Sequence, residues 1–164
     1  MTALIGRAQA IGAPPWQISE WLNTEPIALR DLRGRVVVLE VFQMLCPGCV
    51  AEALPQAQRI GRVFGEDIAL IGLHSVFEHH DAMTPVALAA FAHEYRLRFP
   101  IGIDEHDADR TPMTFTEYGM RGTPTTLLID KWGRIRAHRL GMTDDMSLGA
   151  DLARLIAEEP AARS

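Results

Sequence analysis

The sequence predicts an α/β fold in which a central mixed β-sheet is flanked by helices on both faces. Three features predict it: residues 36–42 form a β-branched apolar run, residues 51–64 have a helical pattern, and residues 68–73 form a second apolar run. Continuous apolar runs of this kind are typical of buried parallel strands. Strands that alternate with helices, followed by a terminal hairpin and helix, indicate a three-layer α/β domain.

The length and composition restrict the class of protein. A chain of 164 residues is one domain by size, and its 48% hydrophobic and 23% charged residues suit a globular protein. The net charge of -5 argues against a nucleic-acid partner. No stretch approaches the roughly 18 apolar residues of a membrane span, and residues 1–10 lack the continuous apolar block of a secretory signal. We therefore expect a cytoplasmic protein with no membrane partner, which would be exported if a leader precedes this sequence; its oligomeric state is left open.

The N-terminal segment, residues 1–25, is predicted to be an arm that covers a sheet edge or the core. Two successive prolines, at positions 14 and 15, break any helix there. Three residues with helical spacing predict a short turn after them: Ile18, Trp21 and Leu22. Residues 26–158 then form the main domain, and residues 159–164 are expected to fray.

The elements of the main domain follow in order. The strand at 36–42 leads into the helix at 51–64, in which Pro55 should cause a kink or a bulge. The remaining elements are a strand at 68–73, a helix at 86–96, a short strand at 100–103, a helical turn at 115–118, a hairpin of strands 125–129 and 135–140, and an amphipathic helix at 146–158. Gly133 supplies the turn of the hairpin.

The two cysteines of the chain lie in one motif, Cys46-Pro47-Gly48-Cys49, between the first apolar strand and the following helix. Residues three apart share one helix face, so the two sulfurs could touch. Cys46 would cap the helix, where free backbone N–H groups and the helix dipole stabilise a thiolate, the reactive form of cysteine. Two cysteines with this spacing in a βαβ context indicate a redox pair.

Two structural interpretations of this pair are weaker. A structural zinc site needs four ligands, and no paired-histidine motif supplies the missing two. Buried cysteines can also be inert apolar residues, although the strand-to-helix position argues against that. The polar stretches His79-His80-Asp81 and 104–109 lack the spacing of a calcium loop and are interpreted as solvated loops. We therefore expect no metal and no cofactor.

The pattern as a whole resembles the thioredoxin superfamily over roughly residues 20–158, and within it the TlpA/ResA-type and redoxin-like thiol–disulfide oxidoreductases. Two motifs carry the resemblance: the strand followed by Cys46-Pro47-Gly48-Cys49, and the segment 122–130 with Thr123-Pro124, which resembles the family's cis-proline loop. The resemblance implies a thioredoxin-like fold, dithiol–disulfide exchange with a protein substrate, and an external thiol reductant.

The resemblance also implies the roles of individual residues. Cys46 corresponds to the exposed attacking cysteine and Cys49 to the buried resolving one. Thr123 and Pro124 would form the wall that faces the cysteines, where the backbone of Thr123 receives an incoming peptide in strand-like fashion. Pro47 and Gly48 are also expected to contact the substrate.

Two acidic residues are candidates for proton transfer. Glu40 lies six residues before Cys46 and interrupts an apolar strand, where an acid is costly without a function. Glu52 lies three residues after Cys49 and matches an acid of the ResA-like branch. Exposed positions on the sheet or on the helix are the alternatives for the two carboxylates.

Two other functions are considered. Peroxidases of peroxiredoxin type place a Thr or Ser three residues before the reactive cysteine and a Pro four residues before that, whereas this chain has Gln43 and Leu39. A peroxidase therefore ranks second. A non-enzymatic binding or metal-handling module of the same fold is the third possibility.

Several residues near the motif are left with two interpretations. Leu45 replaces the family's usual tryptophan before the first cysteine, which leaves the direction of the reaction, reduction or oxidation, open. Residues 42–45, Met120 and Trp132 could line a hydrophobic partner groove or belong to the core. His74, at the end of a strand, is predicted to be a hydrogen-bonded edge histidine rather than a catalyst.

Overall fold

The computed structural model describes residues 3–160, so residues 161–164 of the predicted tail lie outside the described part. Its strands are β1 (Ile18–Leu22), β2 (Val36–Phe42), β3 (Ile68–His74), β4 (Ile101–Asp104), β5 (Thr125–Ile129) and β6 (Ile135–Leu140). Its α-helices are α1 (Leu54–Phe64), α2 (Pro85–Glu94), α3 (Met113–Glu117) and α4 (Asp145–Ala157). Across residues 3–160, none of the helices has the length and apolar character that a bilayer crossing requires.

The strands form one six-stranded mixed sheet in the order β1-β4-β3-β2-β5-β6. β2, β3 and β4 are parallel, whereas β1, β5 and β6 pair with their neighbours in antiparallel fashion. The parallel strands are connected through α1 and α2, as the sequence predicts, and β5 and β6 form the predicted hairpin. The mixed sheet of the predicted fold class is confirmed.

Every residue of β2 is buried, which explains why its sequence is apolar except for Glu40. Its side chains alternate between the two faces of the sheet. Helices α1, α2 and α4 cover the first face with a core that includes Val36, Val38, Phe42, Leu54, Leu88, Leu128, Leu148 and Leu152. Helix α3 and residues 13–32 cover the second face with a core that includes Trp16, Trp21, Val37, Leu39, Val41, Phe115 and Leu127. Both faces are thus flanked, as expected.

The helix after β2 is irregular at its beginning. Residues 47–64 are helical, but Cys49–Ala53 form a π-helical segment in which Leu54 N–H donates to the carbonyl of Cys49. Pro55 has no N–H to donate into the first turn of α1, and a π-bulge accommodates the extra residue. The bulge predicted from Pro55 is confirmed.

The N-terminal segment differs from the prediction. Ile18–Leu22 form strand β1 and not a helical turn, and β1 pairs with β4 at the edge of the sheet. Trp16 and Trp21 pack edge to face, with ring centroids 5.9 Å apart, and Trp16 Nε1 donates to the carbonyl of Ile27. The aromatic rings cover the second face of the sheet, and this tertiary packing outweighs the helical spacing of the sequence.

Candidate active site

The two cysteines lie at the carboxyl end of β2, where the helical segment begins. Both are free thiols; Cys46 is half-buried and Cys49 is buried. The carbonyl of Cys46 accepts the N–H of Val50, so Cys46 occupies the capping position that the sequence predicts. The backbone N–H of Cys49 points to Cys46 Sγ at 3.3 Å. This N–H would stabilise a thiolate on Cys46, as helix N-termini do for anions.

The segment 122–125 faces the cysteines from the start of β5. The Thr123–Pro124 peptide bond is cis, and the carbonyl of Thr123 accepts the Cys46 thiol at 3.5 Å. A Cβ atom added at Gly48 would lie 3.6 Å from Cδ of Pro124, an ordinary van der Waals distance, so Gly48 faces the buried proline. The structure therefore brings the two predicted motifs together, with the Pro47 side chain exposed at the rim.

Burial distinguishes the two thiols. Desolvation, followed by the neighbouring Cys46, raises the pKa of Cys49 to about 12. The backbone of Gln43 and the side chain of Thr123 oppose this rise. Cys49 is therefore held as a thiol behind Cys46, and it needs a proton acceptor before it can react as a thiolate.

Glu40 is the strongest candidate for such an acceptor. It is only 2% exposed, and its register partners in the sheet are Gly72 on β3 and Thr126 on β5. Thr126 Oγ1 donates to Glu40 Oε2 at 2.8 Å, whereas Oε1 has no hydrogen-bond partner among residues 3–160. Burial raises the pKa of Glu40 to about 8, and the Thr126 hydrogen bond opposes this only in part. The carboxyl is therefore mostly protonated at neutral pH and ionises as the pH rises through about 8.

The position of Glu40 along β2 places it below the cysteine motif. Its side chain lies on the same face as Val38 and Phe42, because side chains alternate along a strand. Phe42 shares a core cluster with Cys49 and Leu54 on that face. The expectation that Glu40 is buried within the strand is confirmed.

Glu52 lies in a different environment. Its side chain is exposed, and it lines a surface cavity with Arg59, Met142 and Asp145, separate from the cavity that contains Cys46. The structure therefore does not bring Glu52 into the groove beside Cys46. Its position fits the solvated helix face that was its alternative interpretation.

Cys46 opens into a surface groove of about 580 Å³. Three segments of the chain form it, and the lining residues are Leu45, Cys46, Pro47, Phe77, Glu78, His79, Arg121, Gly122 and Thr123. Of the residues with two interpretations, Leu45 lines the groove and Met120 belongs to the core. Trp132 lies in the turn between β5 and β6, at the other end of these strands, where Arg7 stacks on its ring.

His74 is the last residue of β3, which confirms its predicted position at the end of a strand. It is buried, because β3 lies between β2 and β4, so the expectation of an edge histidine is wrong. Its Nε2 accepts the backbone N–H of Met44 at 3.1 Å, so the expectation of a hydrogen-bonded histidine is confirmed. Desolvation, followed by the charge of His106, lowers the pKa of His74 to about 4. The imidazole is therefore neutral at neutral pH.

The polar loops contain no arrangement for a metal. Within residues 3–160, no group of three or more His, Cys, Asp and Glu side chains is placed to hold an ion. His80 Nε2 and His106 Nε2 bond to backbone carbonyls, those of Arg110 and Val76.

Asp104 is fully buried, which corrects its assignment to a solvated loop: its carboxylate accepts two N–H groups at the start of α3.

Sequence reasoning missed the side chain of Gln43 as part of the site. It is 1% exposed, and its Oε1 accepts the N–H of Phe77 at 3.2 Å. The only signal in the sequence is a polar residue directly after a mostly apolar strand. Its partner lies 34 residues further along the chain, which no local pattern reveals.

Comparisons with known proteins agree with this geometry. The crystal structure of a thioredoxin-like superfamily protein is 51% identical in sequence, with a TM-score of 0.89 over 92% of this chain and 99% of that chain. A thiol-disulfide isomerase from Corynebacterium glutamicum is 48% identical, with a TM-score of 0.85 over 90% of this chain and 98% of that chain. The chain therefore has a thioredoxin-like fold.

Sequence relatives extend the comparison. The thiol-disulfide oxidoreductase ResA of Halalkalibacterium halodurans is 31% identical over 79% of this chain and 68% of that protein. Protein DipZ of Mycobacterium bovis is 31% identical over 77% of this chain, and the chain spans only 18% of that protein's length. The profile of the AhpC/TSA family matches residues 12–138, and the chain belongs to this family.

Proposed function

We propose that this protein is a thiol–disulfide oxidoreductase in which Cys46 and Cys49 form the redox pair and a protein disulfide is the substrate. The observation that carries the proposal is the asymmetry of the pair. The Cys46 thiol reaches the groove and faces the N–H of Cys49 at 3.3 Å, whereas Cys49 is buried behind it. The names of the ResA and isomerase relatives support the same chemistry.

In the first step the Cys46 thiolate attacks one sulfur of the substrate disulfide. A mixed disulfide forms between Cys46 and that sulfur, and the other substrate sulfur leaves as a thiolate. The N–H of Cys49 stabilises the attacking thiolate. The backbone of Thr123, beside Cys46, is placed to receive an extended peptide.

In the second step Cys49 resolves the mixed disulfide. Its thiol loses a proton, and the thiolate attacks Cys46 Sγ, which forms the Cys46–Cys49 disulfide and releases the second substrate thiolate. Two electrons have then passed to the substrate, and an external thiol reductant restores the pair. We assign the proton to Glu40, because its Oε1 is buried without a partner among the described residues. With a pKa of about 8, this carboxyl is ionised, and able to accept the proton, in a fraction of the molecules that grows as the pH rises towards 8.

Trapping of the mixed disulfide tests this assignment. A Cys49→Ser variant should form a stable adduct with a disulfide-bonded protein such as insulin, detected as a mass shift that dithiothreitol removes. A Cys46→Ser variant should form none, because Cys49 is buried. Adducts on Cys46→Ser, or none on Cys49→Ser, would contradict the assigned roles.

A thiol peroxidase is the alternative outcome. Leu39 and Gln43 occupy the positions where such peroxidases carry Pro and Thr or Ser, and both residues are buried. The Gln43 amide is bonded to Phe77 and not to the cysteine. Rapid peroxide consumption by the Cys49→Ser variant would nevertheless favour the peroxidase over the oxidoreductase.

A further inference from the structure

The loop before Cys46 is tied to the segment that follows β3. The carbonyl of Phe42 accepts the N–H of Ser75 at 3.2 Å. After this backbone hydrogen bond, side chains connect the two segments. Gln43 Oε1 accepts the N–H of Phe77, and His74 Nε2 accepts the N–H of Met44. The segment 75–79 is therefore held at a defined distance from the cysteine loop.

Gln43 is the residue where these contacts meet. Its carbonyl accepts the N–H of Cys46 at 3.0 Å, and its backbone also acts on Cys49. Its side chain reaches in the other direction, to Phe77 N–H and, at 3.5 Å, to Glu78 Oε1. A buried amide that leaves its hydrogen bonds unmade costs free energy. The Gln43 side chain therefore favours the position of segment 75–79 in which it bonds to Phe77 N–H and Glu78 Oε1.

The segment held in this way forms one wall of the groove beside Cys46. Phe77 is 38% exposed, although it packs on Phe115 with ring centroids 5.2 Å apart. Leu45, which is 52% exposed, lines the same groove from the cysteine loop. Two exposed apolar side chains that line one groove next to a reactive thiol are typical of a recognition site.

We propose that Gln43 is a positioning residue for this wall, and that Phe77 and Leu45 form a subsite for an apolar side chain adjacent to the substrate cysteine. The inference rests on the proposed thiol–disulfide exchange and adds a substrate preference to it. Peptide disulfides with Leu or Phe next to the reactive cysteine react faster than those with Gly there. The backbone of Thr123, across the groove, holds the peptide itself.

The test compares three disulfides in single-turnover reactions with the reduced protein. Two are synthetic peptide disulfides that differ only in Leu or Gly next to the cysteine. The third is bis(2-hydroxyethyl) disulfide, which is too small to fill the subsite. We expect the wild type to prefer the Leu peptide over the Gly peptide by about tenfold, because the Leu side chain would contact Leu45 and Phe77 and glycine has no side chain to do so.

Three variants locate the source of the preference. Phe77→Ala removes the wall side chain at the surface, and Gln43→Met removes the amide that positions it. Both should lower the Leu-to-Gly preference to within about twofold, and the double variant should lower it no further because the two residues act through one wall. Gln56→Met is the matched control, since Gln56 is 3% exposed and donates two hydrogen bonds, to Thr143 and Asp145, far from the groove.

The outcomes separate the subsite from the chemistry. Retention of the full preference in Phe77→Ala would overturn the subsite, and this surface variant remains informative if Gln43→Met does not fold. An equal loss of rate on both peptides in Gln43→Met would show an effect on Cys46 alone and would overturn the positioning role. If the wild type reduces none of the three disulfides, the proposed function itself fails.

Discussion

Replacing Glu40 with glutamine tests the protonation state of the buried carboxyl below the cysteine pair. Glutamine has nearly the same shape and can accept the Thr126 hydroxyl, but it remains neutral at every pH. Burial raises the pKa of Glu40 from 4.5 to about 8 in the folded protein. Between these two values the unfolded chain releases the proton, whereas the folded protein retains it.

This difference makes the stability of the wild type depend on pH. Since the folded pKa is the higher one, the stabilisation is complete below pH 4.5 and is lost progressively up to about pH 8. The free energy of unfolding falls by about 1.4 kcal/mol per pH unit in this window. The loss reaches about 3 kcal/mol at pH 7 and about 5 kcal/mol in total. The side chain is almost fully buried, so solvent screening does not reduce this figure.

Urea unfolding followed by tryptophan fluorescence measures the effect. The free energy of unfolding of Glu40→Gln minus that of the reduced wild type should increase by about 3 kcal/mol between pH 5 and pH 8. Any constant difference reflects the exchange of an oxygen for an amide group and does not bear on the argument. Glu52→Gln is the matched control for the loss of a carboxyl group, because Glu52 is exposed and lies outside the groove beside Cys46. A difference that stays constant over this range would refute a raised pKa for Glu40.

Three further predictions follow from the same contacts. Glu40→Gln should slow the release of substrate from the mixed disulfide by about a hundredfold at pH 8, whereas Glu52→Gln should change it less than about twofold, as measured by quenched-flow alkylation. Gly72→Ala should lower the free energy of unfolding by about 1–3 kcal/mol in urea titrations, because the added Cβ would lie 2.9 Å from Cε2 of Phe99. Asp104→Ala should cost about 3 kcal/mol in the same assay, because two buried N–H groups of α3 and the Ser75 hydroxyl lose their acceptor.

The sequence predicts the parts of the fold that local pattern determines. The apolar runs of β2 and β3, the hairpin and the terminal helix lie within one or two residues of their predicted bounds. The position of Glu40 within a buried strand was also predictable, because an acid inside a run of Val and Leu is conspicuous. Strand β1 was not predictable in this way: its pairing with β4 joins residues about 80 positions apart, such as Leu22 and Ile101.

The candidate site also has a part that the sequence predicts and a part that it does not. The resemblance to the thioredoxin superfamily implies that Thr123 and Pro124 face the cysteines, because the cysteine motif and the cis-proline loop occur together in that family. The wall at 77–79 and its connection to Gln43 depend on side-chain hydrogen bonds between distant segments. The burial of Asp104 likewise depends on Ser75 and on the start of α3. Contacts of this kind leave no periodicity in the sequence.

The most direct test of the proposed chemistry is the redox equilibrium of the Cys46–Cys49 pair. The protein is equilibrated with a series of reduced and oxidised glutathione ratios, and its free thiols are alkylated and counted by mass. The proposal predicts a single two-electron transition between the dithiol and an intramolecular disulfide, which disappears in Cys46→Ser. The redox pair would be contradicted if no intramolecular disulfide forms at any glutathione ratio. It would also be contradicted if the oxidised protein carries glutathione adducts and no intramolecular disulfide.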